Sequence, residues 1–230
     1  MAGTGPTLER DGEVFVIDLG DGENRFHPDW LTALTALLDE VAAAPAPRAL
    51  VTSATGKFWS NGLDLDWLGA HPDQLGLYAA QVEELFARVL AFPAPTAAAV
   101  QGHAFAGGAM LALAHDWRVM RADRGFVCLP EADIRIPFTP GMTALIMAKL
   151  SPSTATNMMV TARRYGGGDA LQAGIVTATA DAEHVLEQAV ERVRPLAAKD
   201  PATLGMIKDR MYATTVAALR DPAGAGFTTS

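Results

Sequence analysis

The chain has 230 residues, half of them apolar and 19% charged, with a formal net charge of −8. The apolar share can fill a sizeable core, and the acidic field repels nucleic acid and anionic membrane, so neither is expected as a partner. A single cysteine excludes an intramolecular disulfide, and no run of about 18 apolar residues is present to span a membrane. In chain order, Glu13 to Leu19 alternates apolar and polar residues and reads as a half-buried strand, closed by a turn at Asp21-Gly22. From Pro28 to about Ala44, Trp30, Leu31, Leu34, Leu37, Leu38 and Val41 recur at helical spacing. Arg48 to Ser53 is a short strand, followed by the loop Ala54 to Lys57. Pro72 to Ala91 predicts a long helix with Leu75, Val82, Leu85, Phe86 and Val89 on one face. Thr96 to Val100 is a small, apolar, turn-bounded strand. The glycine-rich stretch Gly102 to Gly108 opens a helix through Ala114, and Trp117–Met120 and Gly125–Leu129 read as strands. From Gly141 onward the pattern is helical, with one strand-like break at Ile175 to Thr179.

Strand and helix repeats first, and a helical last third, predict an α/β fold. No Gly/Ser/Pro-rich linker divides the chain. We expect a core over residues 1–180 and a helical segment over 181–230, within one domain or serving self-association.

Two places share a local logic. In Phe58-Trp59-Ser60-Asn61-Gly62-Leu63-Asp64-Leu65 and again at Gly107-Gly108, a buried strand reaches glycine where the backbone turns into a helix. Free N–H groups at a helix start stabilise negative charge placed there. Glycine lets a ligand oxygen come close to the backbone. Two such amides aimed at one carbonyl oxygen form an oxyanion hole. The third element is Glu131, held in Leu129-Pro130-Glu131-Ala132-Asp133-Ile134. A carboxylate among apolar side chains has its proton affinity raised, as a general base working near neutrality requires.

Other motifs fail. Ala54-Thr55-Gly56-Lys57 lacks the first glycine of a phosphate loop, and no Ser or Thr follows Lys57. The five histidines show no metal-ligand spacing. Ser60, His103 and Asp64 lack a nucleophile-elbow pattern.

Taken together, these motifs resemble the enoyl-CoA hydratase/isomerase (crotonase) superfamily, from about residue 8 to residue 180. The resemblance implies a spiral of repeated β-β-α units with a helical C-terminal segment. It also implies an oxyanion hole from the amides of Leu63 and Gly107. Glu131 matches the glutamate kept by Δ3,Δ2-enoyl-CoA isomerases. The position of the hydratases' other glutamate is Met110, which cannot move a proton. Arg135 stands where many relatives have glycine, and Pro137 to Pro140 replaces the usual Pro-Gly-x-Gly loop.

The expected activity is therefore movement of a 3-enoyl-CoA double bond to the 2-position, with Glu131 as the proton carrier. Hydration, thioester hydrolysis, decarboxylation and catalytically idle acyl-CoA binding remain open. The acyl-CoA thioester would meet Arg25, Lys57, Ser60, Gly62, Asp64, Leu65, His103, Phe105, Met110, Pro130 and Ile134. No metal and no bound cofactor are expected beyond the substrate's coenzyme A. By the same resemblance the assembly is a homotrimer or hexamer, using the amphipathic stretches 181–194 and 206–219. Met1 to Gly5 lacks a basic start or apolar stretch, and Gly226 to Ser230 carries no peroxisomal tripeptide, so the expected location is cytoplasmic.

Overall fold

Alternating apolar side chains build the main sheet of the computed structural model, which describes residues 5–224. Residues 1–4 and 225–230, which carry most of the reading of cellular location, lie outside the described residues. The strands are β1 (Thr7–Asp11), β2 (Val14–Asp18), β3 (Ala49–Ser53), β4 (Phe58–Ser60), β5 (Thr96–Val100), β6 (His103–Phe105), β7 (Trp117–Arg121), β8 (Val127–Cys128) and β9 (Ala178–Ala180). The first helices are α1 (Pro28–Ala43), α2 (Leu65–Ala70), α3 (Leu75–Leu90), α4 (Gly107–Ala114) and α5 (Glu131–Ile134). The later ones are α6 (Pro140–Lys149), α7 (Pro152–Thr161), α8 (Gly167–Gln172), α9 (Val185–Val193), α10 (Pro201–Met211) and α11 (Ala213–Leu219).

Six strands form one sheet in the order β1-β2-β3-β5-β7-β9, parallel throughout except for the β1–β2 hairpin. One face carries Phe15, Ile17, Leu50, Ala98 and Met120 into the main core with α1, α3 and α4. The opposite face carries Val14, Ala49, Val51, Ala97, Ala99 and Val119, covered by Val185, Ala189, Val190 and Val193 of α9. The period-2 alternation of β-structure thus sorts each strand between two cores. All five residues of β5 are buried; its alanines let α9 approach the sheet closely.

Strands β4, β6 and β8 form a second, fully parallel sheet. The chain repeats one unit: a strand in the large sheet, a strand in the small one, then a helix. The units are β3-β4-α2, β5-β6-α4 and β7-β8-α5. Because β4, β6 and β8 run parallel, all three exits lie along one edge, and this brings residues 61–65, 106–110 and 129–134 together.

Several elements differ from expectation for local reasons. β1 was not anticipated because nearly every residue on it is exposed, leaving no alternation; pairing with β2 through Gly12, at φ +63, makes it a strand. β6 is hidden in a stretch that reads as turn. The predicted strand at Gly125–Leu129 shrinks to two residues. The long helix begins with a 3₁₀ turn at Pro72–Gln74. Arg135 closes α5 in the left-handed conformation, φ 59, its N–H bonded to Glu131 O, which accounts for glycine as the easier residue there. Among the described residues, no helix is long and apolar enough to cross a membrane.

Candidate functional site

Two backbone turns meet at the shared edge of the small sheet. After β4, Gly62 turns the chain at φ +76 toward α2, which Asp64 caps by accepting from Trp67 N. After β6, Ala106, at φ 51 and ψ −125, leads into α4, whose first residue is Gly107. The turns touch closely. A Cβ added to Gly62 would lie 2.6 Å from Gly107 N, and one added to Gly107 would lie 2.9 Å from Leu63 Cδ1. At Gly108 it would stand 2.3 Å from the Ser60 carbonyl oxygen. Glycine is required at Gly62 by contact and by dihedral angle, and at Gly107 and Gly108 by contact.

The neighbouring amides are engaged: Gly62 N donates to Ser60 Oγ at 3.1 Å and Asp64 N to Tyr78 Oη at 2.8 Å. The N–H groups of Leu63 and Gly107 have no acceptor among the described residues. Two free amides on adjoining turns, one at a helix start, can stabilise a negatively charged oxygen.

Beside them opens a cavity of about 370 Å³ lined by Leu63, Leu65, Phe105, Ala106, Met110, Pro130, Ile134, Ile136 and Met142. Glu131, the first residue of α5, is only 6% exposed within this wall. Burial pushes its carboxyl up to about 7, opposed by its own backbone N–H. Oε2 has no hydrogen-bond partner among the described residues. A carboxyl that changes charge near neutrality can take up and release a proton at working pH. Met110 is fully buried on α4. The other carboxylate of the lining, Asp66, has a side chain 86% exposed and bound to Arg25.

The cations sort differently from the sequence reading. Arg25 reaches the cavity, but Glu23 and Asp66 hold it at 2.5 Å each and Asp64 lies 3.7 Å away. Hydrogen bonds to Asp66 and then Glu23 raise its proton affinity further. Arg164, not anticipated, lines the same cavity with no ion pair among the described residues; its guanidinium lies 5.5 Å from the Phe105 ring centre. The pair Arg163-Arg164 is visible in sequence, but only the fold shows that Arg163 turns away to Asp169.

Four anticipated side chains do not line the cavity. Lys57 and His103 stand at the opposite ends of β4 and β6, one strand length or about 10 Å from the turns. There Lys57 lines a separate cleft with Gln101, Arg121 and Arg124. His103 packs among Phe58, Phe105 and Phe126; burial, then Lys57 and Arg164, lower its proton affinity and keep it neutral. Ser60 is fully buried, its Oγ donating to Asn24 O at 2.8 Å while receiving Gly62 N. Asp64 is the α2 cap. Ser60 and Asp64 brace the first turn, and Gly62 serves through its backbone. Arg135 is exposed and absent from the lining.

Known proteins resemble this chain along most of its length. A family model described as enoyl-CoA hydratase/isomerase matches residues 9–224. The chain is 38% identical over 204 residues to the peroxisomal enoyl-CoA delta isomerase 2 of Arabidopsis thaliana, covering 84% of this chain and 85% of the relative. It is 32% identical over 218 residues to a putative enoyl-CoA hydratase of Thermus thermophilus, covering 91% and 85%. In fold it matches the crystal structure of human mitochondrial delta3-delta2-enoyl-CoA isomerase with a TM-score of 0.89, at 22% identity over 96% of this chain and 89% of that one.

Proposed function

The chain belongs to the enoyl-CoA hydratase/isomerase family, and we propose that within it this protein moves the double bond of a 3-enoyl-CoA to the 2-position. The observation that carries the reading is one buried carboxyl, Glu131, poised near pH 7 in a cavity that adjoins two free amides and holds methionine at position 110. The names of the Arabidopsis isomerases at 35–38% identity support it.

In this mechanism the thioester oxygen lies on the N–H groups of Leu63 and Gly107. Ionised Glu131 takes a proton from C2; the electrons move onto the thioester oxygen, and the amides hold the resulting dienolate. The same carboxyl, now neutral, returns the proton to C4, and the double bond closes between C2 and C3. No atom is gained or lost. The amides act on charge present only after the C2 proton departs, so they favour the transition state over the bound substrate. Each such donor is worth about 3–4 kcal/mol of barrier. The apolar wall keeps the proton on Glu131 between the two transfers. Met110 offers no group to activate water, which separates isomerisation from hydration. Arg164 and, after exchange of its present partners, Arg25 are the cations available to the anionic part of coenzyme A.

The test is turnover of a medium-chain 3-enoyl-CoA, followed by ultraviolet absorbance of the conjugated product, for the wild type and Glu131→Gln. General-base removal should lower kcat by about 10²–10⁴, with no 3-hydroxyacyl-CoA formed by either protein. Equal turnover in both, or hydroxyacyl product from the wild type, would overturn the proposal.

A further inference from the structure

A larger cavity lies away from this site. It is a cleft of about 670 Å³ between α10 and the ends of β5 and β7. Its wall is apolar, formed by Leu196, Leu204, Ile207 and Met211, while its base holds Lys149 and Tyr212. The volume lies within the range of small-molecule sites, roughly 300–1,000 Å³.

The base is short of negative charge. Lys149, Lys208 and Arg118 gather around a single carboxylate, Asp116. Lys208, 3% exposed, donates to Asp116 Oδ2 at 2.6 Å and Ala94 O at 2.8 Å. Thr96 also donates to Asp116 Oδ2, through N at 2.8 Å and Oγ1 at 3.1 Å. Arg118 is fixed on the carbonyls of Ile175 and His115. Among the described residues, Lys149 has no carboxylate partner. Its Nζ donates to His115 O at 2.9 Å and Tyr212 Oη at 3.2 Å, leaving a third N–H free. The Tyr212 hydroxyl hydrogen has no acceptor among the described residues. Two free donors about one hydrogen-bond length apart, beside an aliphatic wall and an excess of cations, match a carboxylate carried on a hydrocarbon chain.

We propose that this cleft binds an aliphatic carboxylate, its head group on Lys149 Nζ and Tyr212 Oη and its chain along Leu196, Leu204, Ile207 and Met211. The site is separate from the Glu131 cavity. Met142 and Lys149 occupy the two halves of α6, seven residues and about 10 Å apart.

A pH signature follows. Burial, then Arg118, then Lys208, pull Lys149 down to about 7, against Asp116. His115, held at about 4 chiefly by burial, contributes no charge, and burial holds Tyr212 protonated as a donor. Lys199 and Asp200, also in the lining, carry opposite charges. Lys149 must be charged to hold a carboxylate, so binding takes up a proton above pH 7. Affinity should fall about tenfold from pH 6 to pH 8.

Octanoate is the probe, with 1-octanol and octylammonium as controls, measured by calorimetry on the intact protein. Saturable octanoate binding is expected, at least tenfold tighter than either control. Lys149→Met should weaken it at least tenfold and Tyr212→Phe several-fold, while Glu131→Gln leaves it unchanged. Thermal melts establish that both cleft variants fold, and Tyr212→Phe, which removes one oxygen, tests the site even where Lys149→Met does not. No saturable binding at millimolar octanoate overturns the proposal, including the case where a second copy of the chain fills the cleft. Octanol binding as tightly as octanoate, or binding lost in Glu131→Gln, overturns it too.

Discussion

Replacing Glu131 by glutamine should stabilise the fold above neutral pH while removing the proposed activity. Burial raises this carboxyl from an ordinary 4.5 to about 7. A group held more strongly protonated when folded gives the folded state an extra proton between those two pH values. Stability therefore falls as pH rises from 4.5 to 7 and stays low above it. At 1.36 kcal/mol per pH unit, the ionised side chain costs the native state about 3 kcal/mol. Glutamine has the same shape and no charge, so the variant should match the wild type near pH 4.5 and exceed it by about 3 kcal/mol at pH 8. In a chain of this size that is about 6–12 °C in Tm. Urea denaturation at a series of pH values measures both curves. A difference that stays constant with pH, or a variant less stable at pH 8, would refute the assignment of a desolvated, isolated carboxyl.

Two further outcomes follow from the same geometry. Gly62→Ala places a methyl group 2.6 Å from Gly107 N at a backbone angle of +76°. Displacing that amide should lower kcat on a 3-enoyl-CoA by about 10²–10³, and kcat within threefold of wild type would show that the amide is not used. Arg164→Met should raise KM for the coenzyme A thioester about tenfold, the worth of one charge-assisted contact, and leave kcat and the KM of a pantetheine thioester unchanged. An equal rise for both thioesters would remove Arg164 from recognition of the phosphate-bearing end.

The turns and the acid were legible because each is encoded locally. Gly62, Gly107 and Glu131 stand at strand exits, and a strand exit is visible from a few neighbouring residues. Distance along the chain misled where direction mattered: Lys57 and His103 lie close in sequence to the glycines, yet at the entry ends of their strands. The state of Arg25 was not legible because Asp66, 41 residues on, meets it only after α2 forms. The second cleft had no sequence signal at all, since Ala94, Asp116, Lys149 and the pair Lys208 and Tyr212 come from four separate segments. The crossing of the chain between two sheets was likewise hidden, because β6 and β8 are only three and two residues long.

Position 110 ties the chemistry to the stability of the site. A second carboxylate facing Glu131 would disfavour double ionisation and raise at least one of the two pKa values further. A polar group there would also bring hydrogen-bonding capacity, and with it water, into a wall that is otherwise hydrocarbon. Water would lower the proton affinity of Glu131 and offer its proton a route for exchange. Buried methionine does neither, so one carboxyl can remain near pH 7 and, in the proposed mechanism, keep the proton it removes. The cost of that arrangement falls on the native state as the pH-dependent destabilisation described above. The surrounding structure holds it in place: the Glu131 carbonyl receives the N–H groups of Arg135 and Ile136, and Arg135 adopts a left-handed angle to allow it. If Met110→Glu restored hydratase activity, it should also change the Glu131 titration in the same protein. A gain of hydration with the wild-type pH profile of isomerisation intact would break this link between desolvation and the choice of reaction.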